Sequence, residues 1–145
     1  MKALIQRVKH ASVTINGELY SKIEKGLLVF LGVQKGDTES NADKLADKLL
    51  HLRIFEDENN KMNKSLTDVS GEMLVVSQFT LCGNCEKGTR PSFDSAELPQ
   101  RANELYEYFI SVIKKAAQPV ETGVFGAMMD IELVNDGPVT FMVEK

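Results

Sequence analysis

The chain has 145 residues, a formal net charge of -4, 43% hydrophobic and 26% charged residues, no Trp and two Cys, the profile of one soluble globular domain with a single core. Two cysteines do not make a secreted disulfide scaffold, nothing approaches the roughly 20 apolar residues of a membrane helix, and the opening MKALIQRVKHASVTING lacks the apolar run of a signal peptide, so a cytoplasmic protein is expected. The excess of acid, 21 residues against 17 basic, excludes broad, sequence-blind attachment to nucleic acid, which needs clustered Lys and Arg.

The first third reads as strands, Lys2 to Val8, Ala11 to Ile15 and Glu18 to Ile23. The Asn16-Gly17 pair marks a hairpin, because both residues tolerate the positive φ of a type I′ turn. Gly26 to Val33 (GLLVFLGV) is an unbroken apolar run that suits a central strand covered on both faces. The period then changes. Ala42, Leu45, Ala46, Leu49 and Leu50 fall at helical spacing, with Asp37, Thr38 or Ser40 available as N-cap. Residues 56–70 are polar and turn-rich, Glu72 to Leu81 (EMLVVSQFTL) reads as strand, and 82–96 as a long irregular stretch. A second helix is expected from about Pro99 to Ala117, burying Ala102, Leu105, Phe109, Ile110 and Ile113. Strands close the chain at Val120 to Phe125, Met128 to Val134 and Val139 to Val143, the last two joined by a turn at Asn135-Asp136-Gly137-Pro138. Hairpin-linked strands with only two helices, and no repeat or linker, predict a single α+β domain with a mostly antiparallel sheet.

Four segments carry candidate chemistry. Cys82 and Cys85 (CGNC) could be half a zinc site or a redox pair. The only histidines are His10 and His51, and Gly-Asn sits in a loop rather than opening a helix, so two ordinary loop thiols are expected, with no metal and no cofactor. Gly83 to Gly88 has the glycine spacing of a phosphate loop but lacks the Lys after the second Gly. It leaves Lys87 and Arg90 exposed to meet a phosphate backbone, unless they are simply solvated charges. In a strand, Ser77 and Phe79 would share one face and Gln78 and Thr80 the other. That pattern fits either a strand end meeting water or a pocket in which Thr80 is a nucleophile or ligand and backbone N–H groups polarise a carbonyl. Finally, Gly137-Pro138 is an odd choice for a tight hairpin, since Asp-Gly already supplies the turn and Pro removes a ladder N–H; a cis bond would give it a purpose.

The opening MKALIQRV, LLVFLGV followed by GDT, LRIFEDE followed by KMN, then VVSQFTL, KGTRPSF and ELVNDGPVT together resemble the D-aminoacyl-tRNA deacylases over the whole chain. SQFT and the Gly-Pro of NDGPVT are that family's two signatures. The resemblance implies a homodimer with a barrel-like α+β fold that hydrolyses the ester between a D-amino acid and the 3′-terminal ribose of tRNA, and that clears glycine mischarged onto alanine tRNA. It implies that Ser77, Gln78, Phe79 and Thr80 line the catalytic pocket of one subunit. Gly137 and Pro138 of the other subunit, with Val139 and Thr140 beside them, would enter it and hold the substrate's α-amino group on the carbonyls of a cis unit. Arg7, from the QRV segment, is a structural or substrate-side candidate, and Lys87 and Arg90 are candidates for tRNA.

Two chemical steps stay open. Thr80 could form an acyl-enzyme, or backbone N–H groups near Phe79 and Thr80 could stabilise the oxyanion while the 2′-hydroxyl of tRNA helps activate water. The second is favoured because no base for Thr80 is found in the sequence. Rival readings are a non-catalytic tRNA- or RNA-binding module of the same fold, and a thiol or zinc protein built on Cys82 and Cys85. If tRNA is the partner, the +4 carried by residues 1–36, with Lys61, Lys64, Lys87 and Arg90, is where a local footprint for one 3′ end is expected.

Overall fold

A computed structural model describes residues 1–116 and 118–145. Strand β1 (Lys2–Ile15) is the axis of the fold. It is continuous where the sequence suggested two pieces. β2 (Glu18–Ile23) and β3 (Gly26–Gly32) run one after the other antiparallel along one edge of β1, with Ile15 opposite Glu18, Ala11 opposite Ile23, Val8 opposite Gly26 and Lys2 opposite Gly32. The hairpin between β1 and β2 has positive φ at both Asn16 and Gly17, 52° and 80°, as a type I′ turn requires.

Helix α1 (Glu39–His51) follows, with Thr38 as N-cap and the Asn41 side chain accepting the Thr38 N–H at 2.9 Å. A two-stranded ribbon, β4 (Phe55–Glu56) and β5 (Met62–Lys64), precedes β6 (Glu72–Ser77). β6 pairs parallel with β3, and the short β7 (Val120–Thr122) pairs parallel with β6, so the sheet is mixed rather than purely antiparallel. Helix α2 (Pro99–Lys115) lies between them in sequence and starts with Pro99 in its first turn, where a missing N–H costs nothing. The expected end at Ala117 lies outside the described residues.

The apolar run of β3 is covered on both faces, as its composition suggested. Leu27, Val29 and Leu31 face a core shared with α1 and α2, whereas Leu28 joins Val8, Val13, Ile23, Leu74 and Val76 in a second core on the other face of the curled sheet. The predicted stripe of α2 is buried. Tyr106 joins it, unforeseen, by donating its hydroxyl to the Val75 carbonyl at 2.9 Å.

Two local predictions are corrected. First, the turn expected at Asn135–Pro138 is not a turn between two strands, because β8 (Asp130–Glu144) runs unbroken along the free edge of β1. Asn135 pairs with Val8 and Thr140 with Gln6, so residues 136–139 bulge outward opposite the single residue Arg7. The Asn135 amide spans the bulge, accepting the Val139 N–H at 3.1 Å and donating to the Val139 carbonyl at 2.9 Å. The chain detours and then resumes its ladder, a special β-bulge larger than the usual two residues against one. Second, β6 stops at Ser77. Gln78 donates its N–H to Leu31 at 2.8 Å, and Phe79–Cys82 then form a 3₁₀ turn.

Candidate active site

The 3₁₀ turn sets the chemistry of an open cleft of about 650 Å³. Ser77, Gln78, Phe79 and Thr80 form one wall. Gln78 and Thr80 are neighbours, but through the turn rather than through strand alternation: the Gln78 amide donates to Thr80 Oγ1 at 2.5 Å. Among the described residues the N–H groups of Phe79 and Thr80 have no acceptor, because they open the turn before its i→i+3 bonding begins. Two orphan amides and a hydroxyl thus sit at the edge of a largely apolar space.

The opposite wall comes from the segment between β7 and β8, with Phe125, Met128, Met129 and Ile131. Sequence reasoning missed this wall because Val120 to Phe125 and Met128 to Val134 were read as strands meeting at Gly126, whereas β7 ends at Thr122 and β8 begins at Asp130. Gly123 and Gly126, three residues apart, were the available signal that the chain leaves the sheet there. Met128 is 90% exposed at the cleft mouth. The roof is the start of α2, with Pro99, Ala102 and the preceding Glu97, the last another residue the sequence did not single out. Phe93 packs edge-on against Phe79, with ring centroids 5.0 Å apart, which ties the loop at 83–95 to the 3₁₀ turn.

Among the described residues no basic group is hydrogen-bonded to the Thr80 hydroxyl. Its partner Gln78 is an amide, His51 stands on α1 with Nδ1 at 3.1 Å from Asp47, and His10 lies on β1 opposite Val134. The thiols differ from the expected pair of loop residues. Cys85 is exposed, but Cys82 is buried at the end of the 3₁₀ turn with its Sγ 3.5 Å from the Val33 carbonyl. Burial raises the Cys82 thiol above its usual range, and a thiol held protonated is a poor nucleophile. A disulfide reagent at pH 8 is therefore expected to titrate one thiol in the native protein and two in denaturant; two fast native thiols would contradict this placement.

Gly137 and Pro138 do not line the cleft of their own chain. They are exposed at the crest of the β8 bulge and joined by a cis peptide bond. Thr140 is exposed beside them, while the Val139 side chain is buried in the helix-side core. Ile131, at the cleft, and Gly137 are six residues apart on one strand, at most about 20 Å of extended chain. Arg7 belongs to the bulge and not to the cleft. Its side chain, 6% exposed, donates Nε to the Asp136 carbonyl at 2.8 Å and Nη1 to the Ile54 carbonyl at 2.6 Å, with the Asp136 carboxylate at 3.3 Å. Lys87 and Arg90 are exposed on the 83–95 loop, near Gly88 with its positive φ of 70°.

The sequence profile of the D-Tyr-tRNA(Tyr) deacylases matches residues 4–144. The chain belongs to this deacylase family. A D-aminoacyl-tRNA deacylase of Syntrophus aciditrophicus (strain SB) is 57% identical over 145 residues, covering 100% of this chain and 97% of the relative. That of Aquifex aeolicus (strain VF5) is 56% identical over 100% of this chain and 98% of the relative. A solved structure described as a c-Myc DNA unwinding element binding protein superposes with a TM-score of 0.95 at 42% identity, covering 100% of this chain and 99% of that one. The chain is thus an enzyme of the deacylase family, with that family's barrel-like α+β fold.

Proposed function

We propose that the protein hydrolyses the ester linking a D-amino acid to the 3′-terminal ribose of tRNA, acting as a homodimer in which each cleft is completed by the Gly137-Pro138 bulge of the other subunit. The observation that carries the chemistry is the pair of unpartnered N–H groups of Phe79 and Thr80 beside an apolar cleft. In such a site, preorganised donors aimed at a developing oxyanion outweigh what they would contribute in water. Water adds to the ester carbonyl, the negative charge falls on the oxygen facing the two amides, and the tetrahedral species collapses with the ribose 3′-oxygen leaving as a hydroxyl. The neighbouring 2′-hydroxyl is the nearest group able to relay the proton.

Thr80 then serves as a binding hydroxyl held by Gln78. Thr80→Ala is expected to cost less than about tenfold in turnover, as for loss of one neutral contact. A thousandfold loss with the fold intact would point instead to an acyl-enzyme.

The dimer is supported by geometry. The bulge lies along β8 from its own cleft, by up to about 20 Å of extended chain, and does not line it, so it is poorly placed to close that cleft. β8 is an edge strand that leaves Val134, Phe141 and Met142 exposed, and unpaired apolar edges are usually covered by a partner. With the bulge's carbonyls on the α-amino group, the side of the α-carbon that an L side chain would occupy meets backbone. Discrimination is by exclusion, and glycine, having no side chain, passes as a D-residue does; glycine mischarged onto alanine tRNA is therefore a substrate. Lys87 and Arg90 contact the phosphates near the 3′ end. The cytoplasm, where aminoacyl-tRNA is made, is the corresponding location. Binding to DNA, which the description of the 42%-identical structure gives for that protein, has no support from a chain of net charge -4.

The deciding experiment compares release of D-tyrosine and L-tyrosine from the same tRNA. Release of the D form alone is expected. Equal rates would defeat the exclusion argument, and release of neither would favour a non-catalytic RNA-binding module.

A further inference from the structure

We infer that Phe93 is a stacking platform for the base that precedes the terminal adenosine of the tRNA, so that the enzyme holds the unpaired 3′ end one nucleotide beyond its cleft; the inference rests on the deacylase reading above. Phe93 is 39% exposed, and Phe79, on which it packs edge-on, is 56% exposed. The ring is nevertheless fixed. It is seated on Gly83, where a Cβ would lie 3.0 Å from Phe93 Cε1. The main chain on either side is pinned: Asn84 and Ser92 exchange N–H to carbonyl bonds at 2.8 and 3.0 Å, the Ala96 N–H donates to the Phe93 carbonyl at 3.0 Å, and the Ser95 hydroxyl donates to the Cys82 carbonyl at 2.6 Å. A rigid aromatic ring left open to solvent beside cations is the make-up of a surface for single-stranded nucleic acid, in which bases stack on rings and phosphates meet Lys and Arg.

Charge gives the direction in which the RNA leaves. With the ester at the N–H groups of Phe79 and Thr80, the terminal ribose stands beside the 3₁₀ turn, and the next phosphate passes out through the cleft mouth. On the α2 side that mouth carries Glu97 and Pro99, and on the side of the β7–β8 connection Ala127 and Met128, an acid and apolar groups with no cation. The turn side leads to the 83–95 loop, where Lys87 and Arg90 are exposed and, among the described residues, in no ion pair. A phosphodiester is drawn to that side. Phe93 stands on the way, three residues after Arg90 in the chain and with its ring centroid 5.0 Å from that of Phe79. Stacking reads the face of a base and not its edge, so this contact adds affinity for any tRNA without choosing among them.

The test uses one tRNA charged with D-tyrosine in two forms, intact and with the base of the nucleotide before the terminal adenosine removed, so that every phosphate is common to both. In the wild type the base is expected to raise kcat/KM by about tenfold, the scale of one stacked base, and to do so through KM. In Phe93→Leu, which keeps an apolar side chain over Gly83, the gain should fall to within about twofold of unity, and in Phe93→Trp it should persist. Absence of the gain in the wild type, or a gain that survives Phe93→Leu, overturns the inference. A ring that merely props the turn would, on replacement, slow both substrates together and leave their ratio unmoved, which also overturns it. Failure of the wild type to release D-tyrosine from the intact tRNA overturns the deacylase reading instead, a result distinct from the others.

Discussion

Gly137→Ala is expected to lower kcat/KM for D-aminoacyl-tRNA by at least about a hundredfold, the scale set by misplacing a positioning element by about 1 Å, with the circular dichroism spectrum unchanged. A Cβ at this position would lie 1.9 Å from the Val139 nitrogen and 2.8 Å from the Asn135 Oδ1. Neither neighbour can yield cheaply. The Val139 N–H is the one that Asn135 accepts at 3.1 Å, so relief of the clash opens the clamp that shapes the bulge. The ladder on either side, Asp130 to Val134 against Thr14 to His10 and Thr140 to Glu144 against Gln6 to Lys2, keeps the strand in place. Only the crest moves. Activity retained within tenfold would show that the bulge does not touch substrate.

Arg7→Ala is expected to cost roughly 3–5 kcal/mol of stability, mostly because two carbonyls lose a charged donor at about 1–3 kcal/mol each, and to lower Tm by roughly 10 °C, measured by thermal unfolding. The guanidinium is 6% exposed and the Asp136 carboxylate 33%, so this pair is poorly screened, whereas Glu56 at 3.6 Å is 53% exposed and adds little. The larger penalty comes from the carbonyls of Ile54 and Asp136, which lose their charged donor. Arg7→Lys should recover only part of the loss, since one ammonium cannot reproduce a fork that reaches two carbonyls and a carboxylate. A Tm within 2 °C of wild type would show that the bulge is held by Asn135 alone.

The regular elements were legible in the sequence because each is fixed by local signals: Asn16-Gly17 for the hairpin, the apolar run of β3 for a doubly covered strand, the 3.6-residue spacing of α1 and α2. What the sequence hid is where a strand stops being regular. EMLVVSQFTL carries strand propensity throughout, yet pairing with β3 ends at Leu31 and Ser77, and beyond it the chain turns because the ladder has run out. NDGP is strong turn chemistry, and here the turn residues serve a detour inside one strand. Both functional features therefore lie where the local rule and the tertiary pairing disagree. Residue chemistry flagged both segments and the resemblance to a family gave them roles, whereas periodicity alone did neither. Glu97 and the Phe125–Met129 wall were invisible for a different reason. They join the cleft only through the packing of α2 and of the β7–β8 connection against the turn, and the one local signal was the Gly123 and Gly126 pair.

The length of β8 between the cleft and the bulge has a genetic consequence. If a chain cannot reach its own cleft, a protein with a ruined SQFT turn and one with a ruined Gly-Pro crest are each inactive alone but not when mixed. On unfolding and refolding together in equal amounts, half the dimers pair one of each kind, and in such a dimer one of the two sites combines the intact turn with the intact crest. Mixing Gly137→Ala with a variant disabled at the 3₁₀ turn should restore on the order of a quarter of wild-type activity. Should the mixture stay as dead as its parts, both signatures would have to act within one chain.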